Sequence, residues 1–398
     1  MEFVGKFFKD RRLWLISIVV FGLLIVVFDK NNLITTHNIL LGSLRIQEFL
    51  QTMQGDVINY QNLVHEYISN SLHTFSKLYL QDCNVRNIIA VGNQLQTFVK
   101  YLVTHHFGNL QPVDSKGNKK DSVNRQEYEE LYHAISTQAP DDLARELSIS
   151  EDKAELLLPT AMIYHNIFEE TDAEFMWLSG ITICDGMAAD FAECKEHIVP
   201  AHPFSDDIIS VSRKLAERFC CDTEHIHQVE IAALKLFDAL RKANHLTKKD
   251  RLLLQIAAIL HNCGSFLNLN DIGENSYKIV TSTEIIGLSH QERMIVAYVI
   301  RYTTGDFPEY SEIKNEFSRE EYIKIAKLNA ILCLADAMDR SHQQKFTNFT
   351  VRKRGYDLTI TGQTLYDITL EHGMFIQKSP FFEEAFGIRP VLRQKKCL

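Results

Sequence analysis

Two apolar segments, each ending in metal-ligand chemistry, constrain this chain more than any other feature. Residues 252–271 read LLLQIAAILHNCGSFLNLND, an apolar helix closing on His261, Asn262 and Gly264. Residues 331–342 read ILCLADAMDRSH, a second apolar helix with Asp336 and Asp339 three positions apart and so on one face. Imidazole and carboxylate delivered from separate helices is how an all-helical metal centre is built, because a divalent cation needs such donors to converge on one point. A third donor comes from the segment EHIHQVEIAALKLFDA, where His225 and His227 open a helix that continues into a core stripe. The ligand set expected from this pattern is His225, His261, Asn262 and Asp336. Asn262 offers only a neutral carbonyl oxygen, so weak binding or none is expected. The competing reading makes His261 a core histidine beside Gly264.

Length and composition narrow the rest. A chain of 398 residues calls for two or three domains, and 45% hydrophobic residues suffice for packed cores. A net charge of −9 argues against a nucleic-acid binder, which needs a basic surface. The eight cysteines include no Cys-x-x-Cys pair and several sit in apolar runs, which reads as buried reduced thiols in a cytoplasmic protein. Residues 13–28 carry no charge and follow four basic residues, as a signal anchor would. A membrane span needs about 20 apolar residues, however, and this run has 16, rich in Val and Ile. Residues 29–32 are turn chemistry and 33–41 read as a strand, so the expectation is two paired strands over residues 13–41.

Three domains are expected, at 12–196, 204–342 and 343–398, with a proline-bearing linker over 197–207. The first mixes strands and helices. A long helical stretch covers 45–80, and the buried strand NIIAV at 87–91 runs through Gly92-Asn93 into a helix. Such a turn can present free helix N–H groups to a phosphate, and Arg45 after the second strand could hold one too. Their bland readings are an ordinary turn and a surface ion pair. Capping boxes are expected at Ser148/Glu151, Ser289/Glu292 and Ser318/Glu321. The last domain reads as short strands at 349–354, 356–361 and 364–370, a helix at 380–386 and a final strand near 390–392.

Taken in order, the runs FDKNNLITTHNILLGSLRIQEFL, NIIAVGNQLQ, WLSGITICDGMAADFAE, HIHQVEIAALKLFD, AAILHNCGSF, NSYKIVTSTEIIGLSHQER and ILCLADAMDRSHQQ resemble the exopolyphosphatase/guanosine pentaphosphate phosphohydrolase (Ppx/GppA) family. The resemblance implies an α/β module, here the second lobe of an actin- and sugar-kinase-like (ribonuclease H-like) fold. An all-α HD-like domain and a small α+β appendix would follow. It implies Mg²⁺-dependent hydrolysis of the terminal phosphoanhydrides of polyphosphate or guanosine pentaphosphate. It also implies self-association as a homodimer. The catalytic glutamate and first phosphate loop would lie on a first lobe missing from this chain. The second phosphate loop falls by position on residues 17–24, SIVVFGLL, where only Gly22 fits. Gly22, Arg45, Gly92 and Asn93 are therefore the phosphate-binding candidates. The departures from the family are that apolar loop, Asn262 in place of an aspartate, and Thr303 where a histidine is usual. Together they lead to the expectation that the chain is inactive alone, or a regulatory remnant with a decayed metal site.

Overall fold

The computed structural model describes residues 13–19, 22–29, 32–53, 60–80, 85–92, 94–105, 122–179, 181–196, 204–241, 244–346 and 348–395. The chain divides into two units, Met1–Pro203 and Phe204–Leu398.

The N-terminal unit is a six-stranded mixed sheet with helices. The strands are β1 (Leu13–Val19), β2 (Gly22–Asp29), β3 (Asn32–Ile39), β4 (Asn87–Val91), β5 (Ser122–Asn124) and β6 (Phe175–Leu178). Their order is β3-β2-β1-β4-β6-β5. β1–β2 and β2–β3 are antiparallel, β1–β4 and β4–β6 parallel, and β5 runs antiparallel to β6. The apolar run is thus two strands rather than one. Val19 pairs with Gly22, and β2 continues to Asp29 before β3 begins, giving three strands where two were expected. Val and Ile favour strand all along the run, so nothing in its hydropathy marks the reversal. Residues Leu23, Ile25, Val26 and Val27 are all buried, as in a strand covered on both faces.

The helices here are α1 (Ser43–Met53), α2 (Tyr60–Tyr79), α3 (Gln94–Thr104), α4 (Arg125–Thr137), α5 (Pro140–Leu147), α6 (Glu151–Glu155), α7 (Leu157–Glu169) and α8 (Ile183–Glu196). The helical stretch expected over 45–80 is two helices. The capping box expected at Ser148 is absent. Ser148 is the left-handed C-cap of α5, and Ser150 stands at the N-cap of α6 without a side-chain bond. α7 is buried nearly all round, with Ala161, Met162, Ile163, Tyr164, Ile167 and Phe168 in the core.

The C-terminal unit comprises α9 (Phe204–Arg218), α10 (Thr223–Leu240), α11 (Lys248–Leu260), a 3-10 turn (Cys263–Phe266), α12 (Ile272–Ser282), α13 (His290–Arg301), α14 (Tyr310–Ile313) and α15 (Arg319–Ala337). A sheet of β7 (Asn348–Arg354), β8 (Asp357–Gln363) and β9 (Arg389–Lys395) follows, with α16 (Thr369–Phe386) before the last strand. The capping boxes at Ser289/Glu292 and Ser318/Glu321 are present, and a third closes Thr247/Asp250. Residues 348–395 pack within this second unit. Gln228 Nε2 donates to Phe346 O, and the buried Phe375 and Phe382 seat α16 against the helices. The strand expected at 364–370 is a turn leading into α16, which runs eleven residues ahead of Pro380. A proline favours a helix start, but here the packed aromatic face carries the helix through it. Among the described residues no helix is long and apolar enough to cross a membrane.

Gly264 fixes the chain just after His261. A Cβ there would lie 2.2 Å from Ile272 O and 2.5 Å from Ser276 N, both backbone atoms. Gly264→Ala is expected to destabilise the C-terminal unit by about 1–3 kcal/mol in urea unfolding, the usual cost of overpacking. Gly373→Ala, within α16 and meeting nothing within 4 Å, should stabilise it by about 0.5–1 kcal/mol. Equal midpoints for the two variants would refute the close approach.

Candidate metal centre

Each donor of the C-terminal unit is placed by a helix end. His225 stands in the first turn of α10, whose N-cap Asp222 accepts the backbone N–H groups of Glu224 and His225. His261 is the C-cap of α11, which buries Leu253, Leu254, Ile256, Ile259 and Leu260. At about 1.5–3 kcal/mol for each such side chain, packing rather than helix propensity holds that end in place. Ser276 Oγ donates to His261 O at 2.9 Å and accepts from Gly264 N at 2.7 Å, tying the turn to α12. Asp336 lies in the last turn of α15, and Asp339 in the turn beyond.

His225, His261 and Asp336 converge. The two Nε2 atoms are 3.2 Å apart, and Asp336 Oδ1 lies 3.4 Å from His225 Nε2 and 3.5 Å from His261 Nε2. His225 Nδ1 donates to Asp339 Oδ2 at 2.9 Å, and His261 Nδ1 donates to Ala258 O at 2.8 Å. With both Nδ1 positions holding hydrogens, the neutral rings aim their Nε2 lone pairs at each other and at Asp336. Two ligands about 2.05 Å from a tetrahedral ion lie about 3.3 Å apart, which is the spacing found here. The outer partners complete the pattern of a metal site, since a carboxylate and a backbone carbonyl orient the two ligating rings. Asp339 is itself held by Gln344, whose N–H donates to Oδ1 at 2.7 Å.

Without an ion, a proton must do the cation's work. Burial opposes charge on His225, but hydrogen bonds and attraction from Asp336 and Asp339 outweigh it and raise its pKa to about 9. The same contacts, with His261 added, hold Asp336 far below the usual carboxylate range despite its burial. His342 stacks on His225 with centroids 3.7 Å apart and donates from Nδ1 to Asp222 Oδ2 at 3.0 Å. The open side is marked by Asp336 Oδ2, which lies 3.6 Å from the half-exposed Arg340.

Of the expected ligands, three therefore meet. Asn262 is half-buried beside them, and no hydrogen bond joins its side chain to the other three. His227 is exposed on the far side of the turn. Thr303 is buried, its Oγ1 donating to Ile300 O at 2.8 Å, so it completes a helix end. Asp222, Asp339, His342 and Arg340 support the site. The Asp336–Asp339 spacing signals one of them, but the His342 stack joins residues 117 positions apart and has no local signal.

The phosphate-binding candidates lie in the N-terminal unit. Gly22 opens β2, opposite the end of β1. Ile39, which leads into α1 and the exposed Arg45, pairs with Leu23, and Val91, which precedes Gly92, pairs with Ser17. Gly22, Arg45 and Gly92 thus belong to the same sheet end, where the parallel strands finish. Gly92 has φ 144°, accessible to glycine, and its N–H is already given to Ile181 O at 3.4 Å. Asn93 lies outside the described residues.

Residues 209–376 match the family described as Ppx/GppA phosphatase, domain III. Two solved structures that the chain is similar to are the type II variant of the Aquifex aeolicus Ppx/GppA phosphatase and an exopolyphosphatase from Cytophaga hutchinsonii. The first is 10% identical over 47% of this chain and 59% of that one, with a TM-score of 0.38. The second is 11% identical over 47% and 58%, with a TM-score of 0.39. The chain thus spans under two thirds of either protein. No curated protein sequence matches it.

The proton on His225 makes stability depend on pH in the metal-free chain. Its pKa is about 9 folded against 6.5 unfolded, so its contribution is complete below pH 6.5 and is lost as pH rises through 9. Urea unfolding in the presence of a chelator should show this decline, and His225→Gln should flatten it. A wild-type profile level from pH 6 to 9.5 would contradict the shared-proton arrangement.

Proposed function

Because residues 209–376 match domain III of the Ppx/GppA phosphatase family, we propose that this chain is a module of a phosphohydrolase directed at terminal phosphoanhydrides, with polyphosphate or guanosine pentaphosphate as the substrate class. In this reading the helical unit is HD-like and holds one divalent ion at His225, His261 and Asp336. The observation that carries it is the 3.2–3.5 Å spacing of two buried imidazole nitrogens and one partly buried carboxylate oxygen, with the other ring nitrogens tied down.

The donor set favours one class of ion. Two imidazoles and one carboxylate suit Mn²⁺, Fe²⁺ or Zn²⁺ better than Mg²⁺, which prefers oxygen ligands and keeps its water. The Mg²⁺ implied by the family resemblance would belong with phosphate oxygens instead. A bound ion would supply Lewis-acid stabilisation to an anionic oxygen on the open side of Asp336. The residues around it do the rest. Asp339 and Ala258 O keep the two rings in the ligating tautomer. His342 covers His225, and Arg340 offers a guanidinium at the mouth, where a phosphate would approach.

The N-terminal sheet supports the other half of the reading. Its β3-β2-β1-β4-β6 order, antiparallel through β1 and parallel beyond, supports an actin- or sugar-kinase-like (ribonuclease H-like) lobe. Ligands of such sheets sit beyond the carboxyl ends of the parallel strands, where Gly22, Arg45 and Gly92 gather. One observation favours a regulatory binder over a working hydrolase. The Val19–Gly22 pair leaves two residues between β1 and β2, where the resemblance places a phosphate-cradling loop. Residues 17–19 and 22–24 of that stretch are paired strand to strand, so their backbone is committed to the sheet ladder rather than to an anion.

Two measurements test the proposal. Calorimetry with Mn²⁺ on the chelator-treated chain should find one equivalent at this centre, identified as the binding whose affinity falls at least tenfold in His261→Ala. Asn262→Asp should tighten it by adding a charged oxygen donor. Manganese binding unchanged by His261→Ala would remove the metal centre from this site. For the substrate class, the purified chain is expected to bind polyphosphate or guanosine pentaphosphate and to release little phosphate alone, since charge stabilisation supplies most of the rate in phosphoryl transfer. Failure to bind either compound would defeat the assignment. Steady release that scales with protein would defeat the regulatory reading.

A further inference from the structure

A second constellation of donors lies in the N-terminal unit, where neither the phosphate edge nor the helical metal centre uses it. His65 projects from α2, and His165 and Glu169 project from one face of α7, four residues apart. Glu169 reaches both rings, with Oε2 3.6 Å from His65 Nε2 and Oε1 3.6 Å from His165 Nε2. One ligand atom from each of the three residues can be chosen so that all lie within 4.8 Å of one another.

At 3.6 Å each contact is longer than a hydrogen bond and is an ion pair only when its ring is protonated, so one carboxylate is shared between two imidazoles. Donors sharing one tetrahedral ion stand about 3.3 Å apart, a few tenths of an ångström closer. Surface ion pairs would also leave the rings free to turn, and His165 is not free. Tyr132 stacks on it with centroids 4.2 Å apart at 11°, and Glu129 Oε2 lies 3.2 Å from its solvent-sealed Nδ1, near enough to hold the ring by charge though not aligned as a hydrogen bond. A carboxylate behind the distal nitrogen of a histidine is the arrangement that orients a metal-ligating imidazole. The supporting helices are rigid on their inner faces, through Val64, Ile68 and Leu72 of α2 and Ile163, Ile167 and Phe168 of α7.

We propose that His65, His165 and Glu169 form a divalent-metal site of the zinc class, with Glu129 and Tyr132 as positioning residues. Two imidazoles and one carboxylate is the ligand set of open zinc sites, which leave a position for water or an anionic oxygen. That position has room here. His65 lines a groove of about 900 Å³ along α2, shared with Asn62, Glu66, Asn70, His73 and Glu170. The ion links α2 to α7 and leaves one coordination position toward solvent. The site is independent of the one at His225, His261 and Asp336, since no residue is shared and each lies within its own unit.

The test uses the full chain stripped of metal and titrated with Zn²⁺ by calorimetry, with Co²⁺ absorption as the check on imidazole ligation. His261→Ala removes the other centre, and this variant should still bind one zinc ion. Adding His165→Ala should weaken that binding at least tenfold and abolish the cobalt bands. Glu129→Gln, which touches no ion, should weaken it by tenfold to a hundredfold with an unchanged circular dichroism spectrum, as loss of an orienting partner does. If His261→Ala binds no zinc, or His165→Ala on that background leaves the affinity within about threefold, the proposal is wrong. If the other centre is the one that fails, wild type and His261→Ala bind one ion equally, and His165→Ala alone removes it.

Discussion

The C-terminal unit turns on one shared carboxylate oxygen. Asp336 Oδ1 faces the Nε2 atoms of two buried histidines, and the partners behind each ring prevent either from turning away. Three lone-pair donors forced together out of water cannot stand uncompensated. Either a proton or a metal ion must sit among them. The rest of the unit follows from that requirement. The Asp222 cap starts α10 where His225 is needed, the Gly264 turn ends α11 where His261 is needed, and the apolar length of α15 carries Asp336 across the core.

The N-terminal unit obeys a different constraint. Parallel strands β1, β4 and β6 finish at one end of the sheet, so whatever follows them is brought to a common edge. Gly22, Arg45 and Gly92 come from chain positions far apart and reach that edge through strand direction alone. The same unit spends Gly92 N–H on Ile181 O and pairs β1 with β2 as far as Val19 and Gly22. The two units thus share one tendency. Each gathers polar groups from distant chain positions to one place, and each holds some of them in internal bonds.

Where local chemistry settles the outcome, it was legible. Ser289/Glu292 and Ser318/Glu321 cap their helices because both halves of each box lie within one turn. The strand at 87–91 and the helix after it follow from a short buried Val/Ile run and a glycine. Ser148/Glu151 has the same letters as a capping box, but the backbone at Ser148 is left-handed, set by the end of α5 and the packing of α6. The hairpin at Val19–Gly22 escaped notice because apolar residues fill both strands and hydropathy carries no sign of direction. α16 crosses Pro380 because Phe375 and Phe382 are needed in the core on either side of it.

The chain alone determined which residue types are available and how they are spaced along each helix. His261 at the end of an apolar helix, and Asp336 with Asp339 on a shared face, are properties of sequence period and capping. Only the tertiary structure decided which of them meet. It joined His225 to His261 and Asp336, left Asn262 without a bond to them, and stacked His342 on His225. It also brought His65 to His165 and Glu169 across a hundred residues. The physical reason is that helical period fixes the face a side chain occupies, whereas the meeting of two faces depends on burial summed over the whole core, which no local stretch of sequence contains.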